Sequence, residues 1–357
     1  MPKNPRDKVS VYMSAKKKLL LFGGNRLNED GPLLRIAINA KKKGLEVLVF
    51  TEAFHLPLTN EEGSTFKERL AQEGIRYIEC SKLMKEILKP HVDADTYGLM
   101  LNAIWLVKQD IIDLFEGRLF NYHNTNLPKE RGAAAYSWKV LSESRSGGIV
   151  IHKVEEGLDQ GDIVLHRSFT FPADCKIPAD YHAFIATKEP ALFQDFLKLV
   201  EGGKMGAAII QIEAHSLYWP RLYTKVHGFI NWSWSYKHIE KFINAFDDPY
   251  DGAMTFMSGK KIHLKKCAVS ADEGIFHPFQ AGLIFKKVDG KIYVAAEGGT
   301  LIIGKAVDEN KVDAMPELKV GYRLVTPQEH LEAALQTRVM QAAEKIQLKK
   351  NGVEVHS

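Results

Sequence analysis

The sequence predicts an α/β chain: a parallel-rich open sheet layered with helices, then a smaller β-rich domain and a terminal helix. Three observations lead there. Short apolar runs alternate with amphipathic segments through the first half. In the second half, the turn pairs Ser258-Gly259, Asp289-Gly290 and Gly298-Gly299 divide short alternating runs. The last segment carries apolar residues at helical spacing. With 357 residues, 45% hydrophobic and 26% charged, the chain can bury about two cores, which excludes disordered and fibrous classes.

Residues 1–16 carry no sustained pattern and read as an N-terminal arm. Leu19-Leu20-Leu21-Phe22 is a short buried strand turning at Gly23-Gly24, and Pro32 to Lys43 places Leu33, Leu34, Ala37 and Ile38 at helical spacing. Val47 to Phe50 completes a βαβ unit, and a helix over Phe66 to Gly74 before Ile75 to Glu79 continues the alternation. The Gly23-Gly24 turn lacks GxGxxG, which favours a turn required by geometry over a phosphate cradle. Leu99 to Leu106 and the neighbours of Phe120 are further strands, separated by a helical Lys108 to Phe115. Tyr181 to Glu201 reads as one long helix stopped by Gly202-Gly203.

The character changes near Ala207. Ile209 to Ile212, Lys261 to Leu264, Leu283 to Val288, Lys291 to Ala295 and Thr300 to Ile303 are short alternating runs, opened by a helix over Tyr236 to Phe246. Gln328 to Lys349 is expected to be a final helix, with Leu331, Leu335, Val339, Ala342 and Ile346 along one side. The expected division is an arm at 1–16, a first domain at 17–206, a β-rich domain at 207–325 and a helical tail at 326–357. The tail's apolar side must cover this chain or a second subunit, so a homodimer is one expected assembly.

Charge and cysteine use are neutral about partners. Lysine plus arginine exceed aspartate plus glutamate by 48 to 44, too little to argue for nucleic acid. Cys80, Cys175 and Cys267 are widely spaced with no CxxC or Cys/His pairing, which suggests neither zinc nor a disulfide framework. No apolar run approaches the roughly 20 residues of a membrane span. The first eighteen residues are polar and basic, so a cytoplasmic address is expected.

The densest polar set is Asn121-Tyr122-His123-Asn124-Thr125-Asn126-Leu127-Pro128. At a strand end, Asn121 and His123 project to one face, at the carboxyl edge where open α/β sheets place their sites. A second cluster, Glu155 to Asp162, follows Ile149-Val150-Ile151. Acyl transfer to an amine needs such groups: a histidine to take the amine's proton, an asparagine to donate to the oxygen that becomes negative, and a carboxylate to orient the imidazole. The residues alone equally allow a structural histidine, turn-forming asparagines and a solvated acidic loop. Ligand spacing supports no metal.

Asn121-Tyr122-His123, Leu127-Pro128 with Arg131-Gly132, and Gly157-Leu158-Asp159-Gln160-Gly161-Asp162 together resemble the signature of the formyltetrahydrofolate-dependent formyltransferase family. The likeness runs from about Lys17 into the second domain, where Ile230-Asn231-Trp232-Ser233 resembles the start of the C-terminal domain of methionyl-tRNA formyltransferase-like enzymes. It implies a Rossmann-like catalytic domain, an OB-like C-terminal domain, 10-formyltetrahydrofolate as co-substrate without a metal, and Asn121, His123 and Asp159 as the catalytic trio. By the same likeness Ile104, Trp105 and Leu106 would hold the pteridine through main-chain bonds, and the loop Val154 to Leu158, including Gly157, would form the other wall. The sequence departs from relatives at Thr125-Asn126 and at Ala133-Ala134-Ala135; neither change touches the trio, so the doubt falls on the acceptor.

Two acceptors are expected candidates: a nucleotide-linked amino sugar of polysaccharide biosynthesis, and methionyl-tRNA. Weak net charge and the likeness of Tyr218 to Leu222 and Phe246 to Ala253 to sugar-modifying members favour the sugar. Lys129 and Arg131, nearest in sequence to the trio, are candidate phosphate contacts. Trp219, Tyr223, Phe229, Trp232 and Trp234 could stack on a base, although core packing is the commoner fate of such aromatics.

Overall fold

The structure is a computed structural model and describes residues 16–24, 30–103, 105–341, 346–350 and 353–355. The N-terminal arm lies almost wholly outside those residues. In chain order, the first half contains β1 (Lys18–Gly23), α1 (Pro32–Lys42), β2 (Glu46–Thr51), α2 (Phe66–Gln72), β3 (Arg76–Glu79), α3 (Lys85–Leu88), β4 (Thr96–Leu101), α4 (Gln109–Ile112) and β5 (Leu119–His123). Then come β6 (Arg131–Gly132), α5 (Ala135–Ser142), β7 (Ser146–Lys153), β8 (Ile163–Thr170), α6 (Pro178–Ala186) and α7 (Glu189–Gly202).

Seven of these strands form one sheet in the order β3-β2-β1-β4-β5-β7-β8. The first five run parallel, and β7 and β8 are antiparallel additions. Because side chains alternate along a strand, β1 feeds two cores. Leu19 and Leu21 join Leu33, Leu34, Phe193 and Phe196 from α1 and α7, while Leu20 and Phe22 join Phe50, Met100, Ile111 and Phe115 on the other face. Each fully buried leucine or phenylalanine contributes about 1.5–3 kcal/mol, which is why a continuous apolar run suits a strand covered on both sides.

Gly23 takes φ 124°, and a Cβ there would lie 2.0 Å from the Leu101 carbonyl oxygen. The glycine serves the close approach of β4, in line with the structural reading of that turn. Strand β4 ends at Leu101, short of the expected Leu106. The single helix expected over Tyr181 to Glu201 is two, because Pro190 lacks an N–H to continue a helix and instead starts α7.

The chain then crosses back through β9 (Tyr218–Trp219), which pairs in parallel with β6, and α8 (Thr224–His227). The expected run Ile209 to Ile212 is no strand: Ile209 makes one isolated bridge to Ile163, and Ile210 and Ile212 are exposed. Helix α9 (Tyr236–Ala245) opens the second domain, followed by β10 (Ala253–Met257), β11 (Lys260–Ser270), β12 (Ile284–Val288), β13 (Lys291–Ala296), β14 (Gly299–Asp308) and β15 (Leu324–Val325). They form an antiparallel sheet in the order β12-β13-β14-β11-β10-β15. Ile239, Phe242 and Ile243 of α9 join Leu264, Leu301 and Ile303 of that sheet in the main core.

The tail departs from expectation. Helix α10 (Gln328–Gln336) stops far short of Lys349, and β16 (Thr337–Gln341), β17 (Ile346–Lys350) and β18 (Val353–Val355) form a small antiparallel sheet. Thr337 and Val339 are β-branched and suit extended backbone. The Thr337 hydroxyl donates to the Ala333 carbonyl at 2.6 Å, satisfying one of the helix's last acceptors. Leu335, expected on the apolar face, is exposed, while His330 stacks on Phe229 at 4.4 Å and on Phe256 at 5.0 Å, docking α10 on its own chain. Among the described residues, no helix is long and apolar enough to cross a membrane.

Candidate functional site

Strand order reverses between β1 and β4, and a cavity of about 560 Å3 opens there beyond the carboxyl ends of the strands. Asn121 and His123 reach it from the end of β5, and Asp159 reaches it from the loop after β7. Residues far apart in sequence thus converge: His123 Nδ1 lies 3.7 Å from Asp159 Oδ1, and Asn121 Nδ2 lies 3.5 Å from the same oxygen.

His123 Nε2 sits 3.1 Å from the Glu130 carbonyl oxygen. A carbonyl only accepts, so Nε2 carries the ring proton of the neutral imidazole, and Nδ1, turned toward Asp159, is the nitrogen free to take a second. The loop that presents Glu130 is itself held. The Thr125 hydroxyl donates to the same carbonyl at 2.8 Å, the Asn126 N–H donates to the Glu130 carboxylate at 2.9 Å, and Lys139 pairs with that carboxylate.

His152, on β7 opposite Asn121 in register, completes the cluster. Its Nδ1 donates to the Lys153 carbonyl at 2.7 Å, so its Nε2 accepts from Asn121 Nδ2 at 3.1 Å. The Asn121 amide hydrogens therefore point at His152 and Asp159, which fixes the orientation of the side chain. Sequence reasoning missed His152; the signal was a polar residue closing the apolar run Ile149-Val150-Ile151.

Asp159 is nearly buried, and its backbone is left-handed at φ 52°, a conformation aspartate tolerates better than most residues. Burial works to raise its pKa, but the neighbouring imidazoles of His123 and His152, which can charge against it, and the Gly132 N–H at 3.2 Å outweigh it and hold the carboxyl well below the usual range. Gly132 is required there: its φ is 103°, and a Cβ would meet the Trp219 carbonyl oxygen at 2.2 Å. Gln211 Nε2 donates to the carbonyls of Asp159 and Gly161 at 2.9 and 2.7 Å, pinning the loop from outside.

Below the trio, the Tyr122 hydroxyl donates to buried Glu189 at 2.8 Å, and Glu189 also pairs with Arg35, tying β5 to α7 and α1. Burial raises the Tyr122 pKa well above its ordinary value. His182, another cavity residue, is held down to about 4 by burial and is neutral near pH 7.

The other expected site residues divide. Trp105, Leu106 and Leu158 line the cavity, and the Trp105 indole N–H is tied to the Ser81 carbonyl at 3.1 Å. Ile104 lies outside the described residues. Val154 and Gly157 are not among the lining residues; Val154 extends the sheet, its N–H donating to Leu119 at 3.0 Å. Lys129 is exposed and does not line the cavity. Arg131 is buried and is not among the lining residues; it donates to Glu213 at 2.7 Å and to Gln211 at 3.2 Å, which supports the Asp159 loop in place of the expected phosphate contact.

Two arginines line the cavity: Arg35, paired with Glu189, and Arg221, in the linker after β9. Arg221 is half-buried with Tyr218 and Tyr250 nearby, and burial lowers its pKa. Among the described residues no carboxylate pairs with it. The aromatic set mostly packs: Trp219 lies 5.4 Å from Trp138, Trp234 lies 5.2 Å from Phe242, and Trp232 is buried.

The family model described as Formyl transferase matches residues 58–197, and that described as Formyl transferase, C-terminal domain, matches residues 212–317. The methionyl-tRNA formyltransferase of Caldanaerobacter subterraneus subsp. tengcongensis is 25% identical over 270 residues, covering 73% of this chain and 83% of that protein. Among solved structures, the sugar 3N-formyl transferase WlaRD, determined with dTDP and 5-N-formyl-THF, has a TM-score of 0.61 at 18% identity and covers 84% of this chain and 100% of that one. The N-formyltransferase of Helicobacter canadensis, in complex with folinic acid and dTDP-3-aminofucose, has a TM-score of 0.57 at 17% identity, covering 80% of this chain and 98% of that one. With both of its domains matched in order, the chain belongs to the formyl transferase family and is a formyl-transferring enzyme.

Proposed function

We propose that this protein moves the formyl group of 10-formyltetrahydrofolate to the primary amine of a nucleotide-linked amino sugar, in the cytoplasm. The observation that carries the reading is one cavity joining the trio to Arg221. Its volume suits a small molecule, and a guanidinium without a carboxylate partner suits a diphosphate, which it can bind in a bidentate manner. Trp105, Leu106 and Leu158 offer the donor's flat ring an apolar wall. The solved relatives that carry dTDP or a dTDP-sugar support the same acceptor class.

The donor supplies the formyl carbon, and the groups of the chain handle proton and charge. The amine enters as a free base. As its nitrogen bonds to the formyl carbon, its proton passes to His123 Nδ1, and the formyl oxygen takes up negative charge. Protonated His123 and the Asn121 amide stabilise that oxygen; the amide does so by giving up its long contact with Asp159. Asp159 faces the imidazolium and holds its charge. The bond from the formyl carbon to the folate nitrogen then breaks, and that nitrogen recovers a proton from His123.

Methionyl-tRNA is the second reading. Most of the sequence relatives carry that name, and a groove of about 790 Å3 in the second domain is lined by Lys265, Lys266, Lys287, Lys305 and Lys311 and shares Pro249 and Tyr250 with the catalytic cavity. Formylation of dTDP-, UDP- and GDP-linked amino sugars and of methionyl-tRNA, each read by mass spectrometry, separates the two. Between about 50 and 200 mM salt a sugar nucleotide's KM should change only modestly, whereas tRNA binding falls by orders of magnitude. Turnover of methionyl-tRNA with no sugar nucleotide accepted overturns the reading.

A further inference from the structure

We infer that Val339, carried on a C-terminal strand beyond both matched domains, is a specificity-determining wall of the acceptor end of the cavity. The inference rests on the amino-sugar reading and deepens it. The matched domains end at residue 317, yet Val339 is buried and lines the same cavity as Tyr218, Arg221, Leu222 and Tyr250.

The placement is built. Helix α10 docks through His330 on Phe229 and Phe256. The Tyr223 N–H donates to His227 Nδ1 at 2.9 Å, so the proton of that ring sits on Nε2 and donates to the Thr337 carbonyl at 3.0 Å. The strand is thus pinned at its first residue to α8, in the linker that carries Arg221. Two residues later, on the same face by strand alternation, Val339 enters the cavity. Between them Arg338 faces outward, its guanidinium 5.7 Å from the centre of the Tyr218 ring, another cavity residue.

An apolar side chain closing one end of a cavity discriminates by size and cannot move out of the way of a bulky extension while its strand is pinned at both helix and linker. The acceptor class this selects is a compact amino-sugar nucleotide that ends at its base, rather than an amine attached to a continuing chain.

The test uses the full chain with the sugar nucleotide that the wild type turns over best. Val339→Trp should raise the acceptor KM about tenfold, leaving kcat and the KM for 10-formyltetrahydrofolate within about twofold. Val339→Ala, which removes volume without overpacking, should reduce discrimination among dTDP-, UDP- and GDP-linked acceptors and serves where the tryptophan variant does not fold. Wild-type turnover of a sugar nucleotide, with acceptor KM and discrimination unmoved by the variants, overturns the inference alone. Wild-type turnover of methionyl-tRNA only overturns the functional reading and the inference with it.

Discussion

The two ends of the cavity are made differently. The end holding Asn121, His123 and Asp159 is built on the end of β5, beside β7, and on the loop after β7, with His152, Gly132, Glu130 and Gln211 fixing the trio by hydrogen bonds. The end holding Arg221 is assembled from the linker at 218–222, the turn at 249–250 and Val339 on a C-terminal strand. Residues on regular elements locked by neighbours hold a reacting geometry, whereas loops and appended segments change without disturbing it. Under the proposed function, the comparison puts the reaction and the recognition of the acceptor on separable parts of the cavity.

The strongest way to break that comparison is at the trio. Asn121→Ala or His123→Ala should lower kcat about 100-fold or more, the scale for an oxyanion or acid/base group, with the acceptor KM little changed. Near-native turnover in His123→Ala, measured in steady state, contradicts the assignment. Arg221→Ala should do the reverse, raising the acceptor KM by about tenfold, as for a lost hydrogen bond to a charged group, at a kcat near wild type. Equal losses in kcat and KM from both substitutions would erase the distinction between the ends.

Acid sensitivity sharpens it further. The folded carboxyl of Asp159 is held below its ordinary value, so its contribution to stability is complete above the unfolded carboxylate range near pH 4 and is lost as pH falls toward the folded pKa. The stability advantage of wild type over Asp159→Asn, read by urea denaturation, should therefore be constant near neutral pH and shrink below about pH 4. A constant difference down to pH 2 contradicts it. The smallest effect is expected at Trp138, whose indole N–H donates to the Pro220 carbonyl at 2.9 Å beside the linker. Trp138→Phe should cost about 1 kcal/mol of stability, read as a lower Tm, with less effect on acceptor KM than Arg221→Ala.

The same division explains what was legible in the sequence. Asn121, His123 and Asp159 lie in short linked runs, and it is the resemblance of those runs to the formyltransferase signature, not their spacing, that singles them out in the sequence. The strand β1 could be named without coordinates, because an apolar run between two cores has no other stable placement. Lys129 and Arg131 are near the trio in sequence, but Arg131 serves Glu213 and Gln211, and the arginines at the cavity are Arg35 and Arg221, distant in sequence. His152 escaped because register across β5 and β7, not sequence, places it on Asn121. The tail failed for a related reason: Leu331, Leu335 and Val339 keep helical spacing, but β-branched Thr337 and Val339 and a tertiary bond from His227 turn the chain into a strand.

The most direct measurement is a competition in one vessel: 10-formyltetrahydrofolate with equimolar methionyl-tRNA and an amino-sugar nucleotide, the formyl label followed into each acceptor by mass spectrometry. The amino-sugar account predicts formyl on the sugar amine, with methionyl-tRNA left unmodified. Formyl on methionine, with the sugar untouched, contradicts it.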